Sequence, residues 1–384
     1  MTISHMPAER DAEILSYGYN SAGHALFCRL LRDPGNIVFS PFSIGAAMAM
    51  ALAGARGETE GEIARLFIPK LSGIERENAH AAMLAILNRY NTSASPTADD
   101  ELVELSSDHT IRVRPYAPPE TKLVVANALA MVQPAILSNK YIATLTNRYA
   151  AELLSNATVE QVNAWIHERT NWESAFEREL TCDEDFHLAN GEIVKTPMMH
   201  KPGVSLSFAT GQGYRAIRIP YVEYKLGMTV VLPDQSQDIV ALGEHLDADE
   251  LSRLRKTMAS SPFKSFDLVM PRFKTSARLE LQQHLQEMGI KLAFDPIRAD
   301  FGGIVVEAEI PFWISEILHC AVVDVNEEGT EAAAATIIMM RAGSCYDPSK
   351  QEPFIIDRPF LFYITDDVSG AVLFQGKVAD PRMS

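Results

Sequence analysis

Three observations predict an α+β fold for this chain. Its first third carries apolar residues at helical spacing, and from Trp172 onward the pattern changes to short β-rich runs bounded by Gly or Pro. Helices and strands are segregated, where a βαβ repeat would alternate them. The 384 residues, 47% of them hydrophobic, are enough chain for a large buried core. No linker-like or low-complexity stretch divides them, so a single domain over residues 1–384 is expected.

The elements follow in order. "AEILSYGYNSAGHALFCRLL" (Ala12 to Leu31) sets Ile14, Leu15, Tyr19, Leu26, Phe27 and Leu30 at helical spacing and is ended by "RDPGN". "PFSIGAAMAMALAGARG" is small and apolar all round, the mark of a helix buried on most sides. Helices are also predicted over "ETEGEIARLF", "NAHAAMLAILNRY", "SNKYIATLTNRYAAELL" and "TVEQVNAWIHERT", and a strand over "KLVVANALAMV". The Pro/Ser/Asp-rich segment from Asn91 to Lys122 reads as a long surface excursion. After Trp172, "GVSLSFA", "YRAIRIPYV", "LGMTVVLP" and "SFDLVMPRF" read as strands, and "SARLELQQHLQEMGI" as a helix. Two further strands, "LHCAVVDVN" and "PFLFYITDD…GAVLFQGKVADP", bracket the segment "VNEEGTEAAAATIIMMRAGSCYDPSK", Val325 to Lys350.

Charge and motifs exclude several functions. The formal net charge is −16, a field that repels phosphate backbones and anionic lipid, so neither nucleic acid nor membrane is expected as a partner. No run reaches the ~18 apolar residues that a bilayer span requires. The N-terminus lacks the basic and apolar regions of a signal peptide, so a cytoplasmic location is expected. Cys28, Cys182, Cys320 and Cys345 show no spacing suited to a metal or redox pair and read as free thiols, with Cys345 set apart by its place in the bracketed segment. No nucleotide-binding, zinc-protease or nucleophile-elbow motif occurs, so no catalytic residue, metal or cofactor is expected and the chain is read as a non-enzyme. His319 begins an apolar strand and reads as a buried, hydrogen-bonded structural histidine.

The alanine run within "EEGTEAAAAT" admits two readings. As a helix, Thr330 would be its N-cap. As a strand, Thr330, Ala332, Ala334 and Thr336 would share one face, small and uncharged, while Glu331 would lie opposite with Ala333 and Ala335. Such a face could slide beneath a covering helix, where an inward unpaired charge would be heavily penalised.

"NEEGTEAAAAT" resembles the hinge of the reactive-centre loop of serpins, and the resemblance covers nearly the whole chain. "NIVFSPFSIGAAMAMALAGARGETEGEI" (Asn36 to Ile63) is similar to the serpin buried helix and shutter. "FHLANGEIVKTPMMH" (Phe186 to His200), "LHCAVVDVNEEGTEAA" and "DRPFLFYITDDVSGAVLFQGKVADP" are similarly characteristic. The resemblance implies helices packed on a large, mainly antiparallel sheet with smaller sheets and an exposed loop. It implies a suicide inhibitor of serine proteases, whose loop, once cleaved, enters the large sheet as a new strand.

Carried over by position, the resemblance places the hinge at Gly329, Thr330, Glu331, Ala332, Ala333, Ala334, Ala335 and Thr336. Counting forward puts the scissile bond at Gly343–Ser344, which suits an elastase-like protease; Arg341–Ala342 is the trypsin-like alternative. Ser40, Pro41, Ser43 and His319 match the shutter, and Trp172 the breach where insertion begins. Glu327 and Arg272 match a charged pair near the hinge and are expected within salt-bridge reach. The helix carrying "ENAHAAMLAILNRYN" has little positive charge, so no heparin-type activator is expected, and a monomer is.

One departure stands out. The family resembled supplies a long apolar strand just before the breach tryptophan, yet no alternating or apolar run of ~5–10 residues lies between Thr170 and Phe176 here. The main sheet is therefore expected to be altered beside the slot that receives the loop, and His319 to lack the asparagine partner which that strand carries. A non-inhibitory protein of the same fold is the alternative this leaves open.

Overall fold

In a computed structural model, the chain is described over residues 7–71, 73–88, 101–105, 111–115, 127–131, 136–149, 151–155, 170–172, 175–221, 225–235, 237–307, 312–330 and 352–383. Helices Pro7–Leu30, Pro41–Gly54, Gly57–Phe67, Gly73–Asn88 and Asn139–Tyr149 pack on one another in its first half. The helix Pro41–Gly54 is buried on most sides, as its all-round apolar sequence predicts. Ser40 caps it by accepting from the Ser43 N–H, and Pro41 occupies its first turn, where a missing N–H costs nothing. Gly45 is required by packing, since a Cβ there would lie 2.4 Å from the Tyr19 ring of the first helix.

Among the described residues two sheets dominate. The larger has nine strands, running Ile37–Phe39, Val372–Val378, Phe360–Asp366, Leu226–Pro233, Tyr214–Pro220, Ile193–Gly211, Lys264–Pro271 and Glu352–Ile355, with Cys182–His187 also paired to Ile193–Gly211. All its pairings are antiparallel except the last pair in the path. Leu226–Pro233, apolar almost throughout, is buried at every position because it is central and covered on both faces. The second sheet has four strands in the order Phe273–Glu280, Leu318–Val325, Gly329–Thr330 and Thr170–Asn171, so among the described residues the start of the loop lies in the smaller of these two sheets and not, as expected, in the larger. One continuous core joins the helices to the sheets, through residues such as Phe27, Phe39, Phe42, Tyr363 and Phe273. No described helix is long and apolar enough to cross a membrane.

Several expected elements change. The predicted helix over "SNKYIATLTNRYAAELL" stops at Tyr149, and Ala151–Ser155 is instead a strand parallel to Asn127–Met131. Ala, Glu and Leu favour a helix, but the ladder to a neighbouring strand captures their backbone. "SARLELQQHLQEMGI" is likewise divided. Phe273–Glu280 pairs along its whole length with Leu318–Val325, and only Gln282–Glu287 is helical. The excursion from Asn91 to Lys122 contains an antiparallel strand pair, Glu101–Leu105 with Ile111–Pro115. The helix predicted over "TVEQVNAWIHERT" lies outside the described residues except for Thr170, which is in a strand.

Replacing Gly45 with valine forces either this helix or the Pro7–Leu30 helix outward. A destabilisation of about 1–3 kcal/mol is expected, read as a lowered urea midpoint at unchanged slope. An unchanged midpoint would mean the two helices do not pack this closely.

Candidate functional site: the hinge and its two anchors

The strand Leu318–Val325 ends in a tight turn. The Asn326 N–H donates to the Gly329 carbonyl at 2.9 Å, and the Asn326 side-chain oxygen accepts from the N–H groups of Glu328 at 3.0 Å and Gly329 at 3.3 Å. Asparagine suits such a turn because its side chain mimics a backbone acceptor. The chain then reverses, and Gly329–Thr330 pairs on both sides. Thr330 lies opposite Val325, and Gly329 and Thr330 lie opposite Asn171 and Thr170. The first two hinge positions therefore sit between two strands.

A buried carboxylate secures the turn. Glu327 is 3% exposed, and its Oε2 accepts from Arg272 Nη2 at 2.8 Å while Oε1 accepts from the Thr181 hydroxyl at 2.9 Å. The expected Glu327–Arg272 reach is thus met, with Arg272 itself half-exposed. Burying an ionised carboxylate is costly unless hydrogen bonds and an opposite charge compensate it; here both are present. Beside it, Arg178 pairs with Glu328.

Trp172 completes this cluster. Its ring stacks on Tyr221 at 4.6 Å and 4° between planes, and its Nε1 donates to the Asn326 carbonyl at 3.0 Å. Its backbone N–H donates to the Glu328 carbonyl at 3.0 Å, and the Phe176 N–H donates to the Glu327 carbonyl at 2.7 Å. Three successive residues of the turn are thereby fastened to the segment that leaves the Thr170–Asn171 strand.

The second anchor lies at the start of the buried helix. His319 pairs with Leu279 across the four-stranded sheet, and its Nε2 accepts from the Ser40 N–H at 3.0 Å. The Ser40 hydroxyl donates to the Ser43 hydroxyl at 2.9 Å and accepts from the Ser43 N–H at 3.0 Å. Ser40, Pro41, Ser43 and His319 are thus brought together. His319 has a partner in the Ser40 backbone, so the expected loss of an asparagine does not leave its ring without one. Burial pushes the His319 pKa down to about 4, keeping the imidazole neutral and able to accept.

The strand facing the hinge is two residues long among the described residues. Hinge positions Glu331, Ala332, Ala333, Ala334, Ala335 and Thr336, and the candidate bonds Gly343–Ser344 and Arg341–Ala342, lie outside them. Sequence reasoning missed Thr181, Tyr221 and Asn326, whose roles arise from contacts across the chain; only Asn326, a turn former at a strand end, carried a local signal. It also did not anticipate that Cys182, Glu184 and His200 meet on one strand pair.

The family model described as "Serpin (serine protease inhibitor)" matches residues 18–381. Iris from Ixodes ricinus is 33% identical over 370 residues, spanning 90% of this chain and 92% of that protein. Serpin-Z2A from Oryza sativa subsp. japonica is 32% identical over 399 residues, spanning 91% of this chain and 92% of its own. The solved structure of the thermophilic serpin tengpin in its native state superposes with a TM-score of 0.76 at 18% identity, covering 99% of this chain and 96% of that one. Fold and sequence together define the class: the chain belongs to the serpin family.

Two measurements bear on these anchors. The first is pH. His319 has a folded pKa near 4 against an ordinary value of 6.5, so the unfolded chain binds the proton first as pH falls. Its neutral form contributes stability that is complete above about pH 6.5 and is lost on acidification towards pH 4, by on the order of 3 kcal/mol. His80, pushed to about 3 by burial, adds a slope of the same sign. A His319→Gln variant is expected to show a shallower fall in stability over this window; equal slopes would mean the imidazole is not buried neutral. The second is a double-mutant cycle. Glu327→Ala and Arg272→Ala are expected to show a coupling of about 1 kcal/mol, and additive losses would mean the pair does not form.

Proposed function

We propose that this protein inhibits serine proteases as a suicide substrate. The protease cleaves the exposed loop, and the hinge then enters the four-stranded sheet. The observation that carries this reading is that Gly329–Thr330 already lies between Leu318–Val325 and Thr170–Asn171. The ladder into which the rest of the hinge would zip therefore has its first rung in place. Ala332, Ala334 and Thr336 continue the small, uncharged face that burial demands. Named relatives of the family, and the turn cluster around Glu327 and Trp172, support the same reading.

The partner is a serine protease that accepts a small residue at Gly343, with cleavage after Arg341 by a trypsin-like enzyme as the rival. In this reading the chain catalyses nothing and needs no cofactor. A second reading, a serpin-fold protein without inhibitory activity, is favoured by one observation: among the described residues, only Thr170 and Asn171 line the hinge on that side. A longer inserted strand would need a longer ladder there.

Incubation with elastase-type and trypsin-type proteases separates the two. Inhibition yields a covalent complex that survives denaturing electrophoresis, with the cut mapped by mass spectrometry to Gly343 or Arg341. An Ala334→Arg variant, carrying a charge on the inward face, is expected to be cleaved without forming the complex. Cleavage of the unaltered protein that leaves fully active protease would overturn inhibition and establish the second reading.

A further inference from the structure

The antiparallel strands Cys182–His187 and Ile193–Gly211 bring together three side chains of metal-ligating type. Cys182 and Glu184 are two residues apart and share a face. They lie opposite Met198 and Thr196, and His200, two residues beyond Met198, falls on that face diagonally from Cys182. His200 Nε2 is 2.6 Å from Glu184 Oε1 and 3.8 Å from Cys182 Sγ, and Sγ is 3.3 Å from Oε1. Cys182 is exposed, and the other two are half-buried.

We propose that Cys182, Glu184 and His200 bind one divalent transition-metal ion of the zinc class, with solvent completing a tetrahedral set. Bond lengths of about 2.3 Å to thiolate and about 2.0–2.2 Å to imidazole and carboxylate hold such donors about 3.3–3.6 Å apart. The observed separations bracket that range: the widest and the middle one must change by at most a few tenths of an ångström, and the His200–Glu184 distance must open by about 0.7 Å. Side-chain rotations supply these changes, while the ladder between the strands sets the backbone in advance. A thiolate with an imidazole favours zinc-like ions over magnesium or calcium, which prefer all-oxygen sites.

The present hydrogen bonds are those the ion would replace. The thiol donates to Glu184, and this bond pushes the Cys182 pKa up. A bound cation reverses that preference, taking the thiolate while the proton leaves to solvent. The exposed thiol gives the ion a direct entry path. Thr181, adjacent to Cys182, is the residue that donates to Glu327, so the ion would hold in place the segment that secures the hinge turn.

The test uses the full chain, reduced, titrated with Co²⁺ and then Zn²⁺. Binding of one Co²⁺ per chain with a thiolate-to-cobalt charge-transfer band, displaced by Zn²⁺, is expected, together with a rise in melting temperature on adding Zn²⁺. Cys182→Ser should abolish the band. Cys182→Ser and His200→Ala should each weaken binding by at least about 10–100-fold, the cost of disturbing even an outer-shell partner. Cys345→Ser should bind as the unaltered chain does. Absence of saturable binding, a band that survives Cys182→Ser, or binding lost on Cys345→Ser would each overturn the site. The metal-free melting temperatures of the variants show that each is folded, and none of the outcomes depends on protease inhibition.

Discussion

The buried carboxylate of Glu327 is the constraint around which the upper part of the four-stranded sheet is arranged. It sits in the turn where Leu318–Val325 ends and the hinge begins, and it is almost wholly removed from solvent. It persists there because Arg272, from the start of the neighbouring strand, and Thr181, from the segment beyond Trp172, both supply donors. Three parts of the chain distant in sequence must meet for that to happen. With them in place, Gly329–Thr330 lies between the two strands rather than in solvent.

Trp172 acts on the same turn by a different force. Stacking on Tyr221 and donating through its indole N–H to Asn326, it supplies apolar area and one directional bond. Its backbone then carries the Thr170–Asn171 strand to the hinge. At the other anchor, His319 couples the sheet to the buried helix by a neutral imidazole accepting from the Ser40 N–H. Ion pair, aromatic stack and neutral hydrogen bond thus hold the sheet at separate points. In the proposed mechanism the sheet opens locally, which several modest attachments allow more readily than one continuous apolar seam.

Much of this was legible in the sequence, and the reason differs by residue. The helix Pro41–Gly54 was readable because an apolar surface on every side can only be buried, and Ser40–Pro41 is a helix start by local chemistry alone. Leu226–Pro233 was readable as a strand because it is a short β-rich run bounded by Gly and Pro. Ala151–Ser155 was misread because its residues favour a helix, while a partner strand claims its backbone. The strand Phe273–Glu280 did carry an alternating signal, but "SARLE" also fits the start of a helix, and only the pairing with Leu318–Val325 resolves it.

Sequence by itself determined the fold class and the family resemblance, because these follow from residue type and spacing along the chain. It also placed Glu327 with Arg272 and Ser40 with His319 as expected partners through that resemblance. Only the tertiary structure decided that His319 bonds the Ser40 backbone, that Thr181 and Tyr221 belong to the hinge cluster, and that Cys182, Glu184 and His200 converge. The physical reason is common to all three. Hydrogen-bond and donor geometry is set by which strands lie side by side, and pairings across tens or hundreds of residues leave no periodic trace in the chain that makes them.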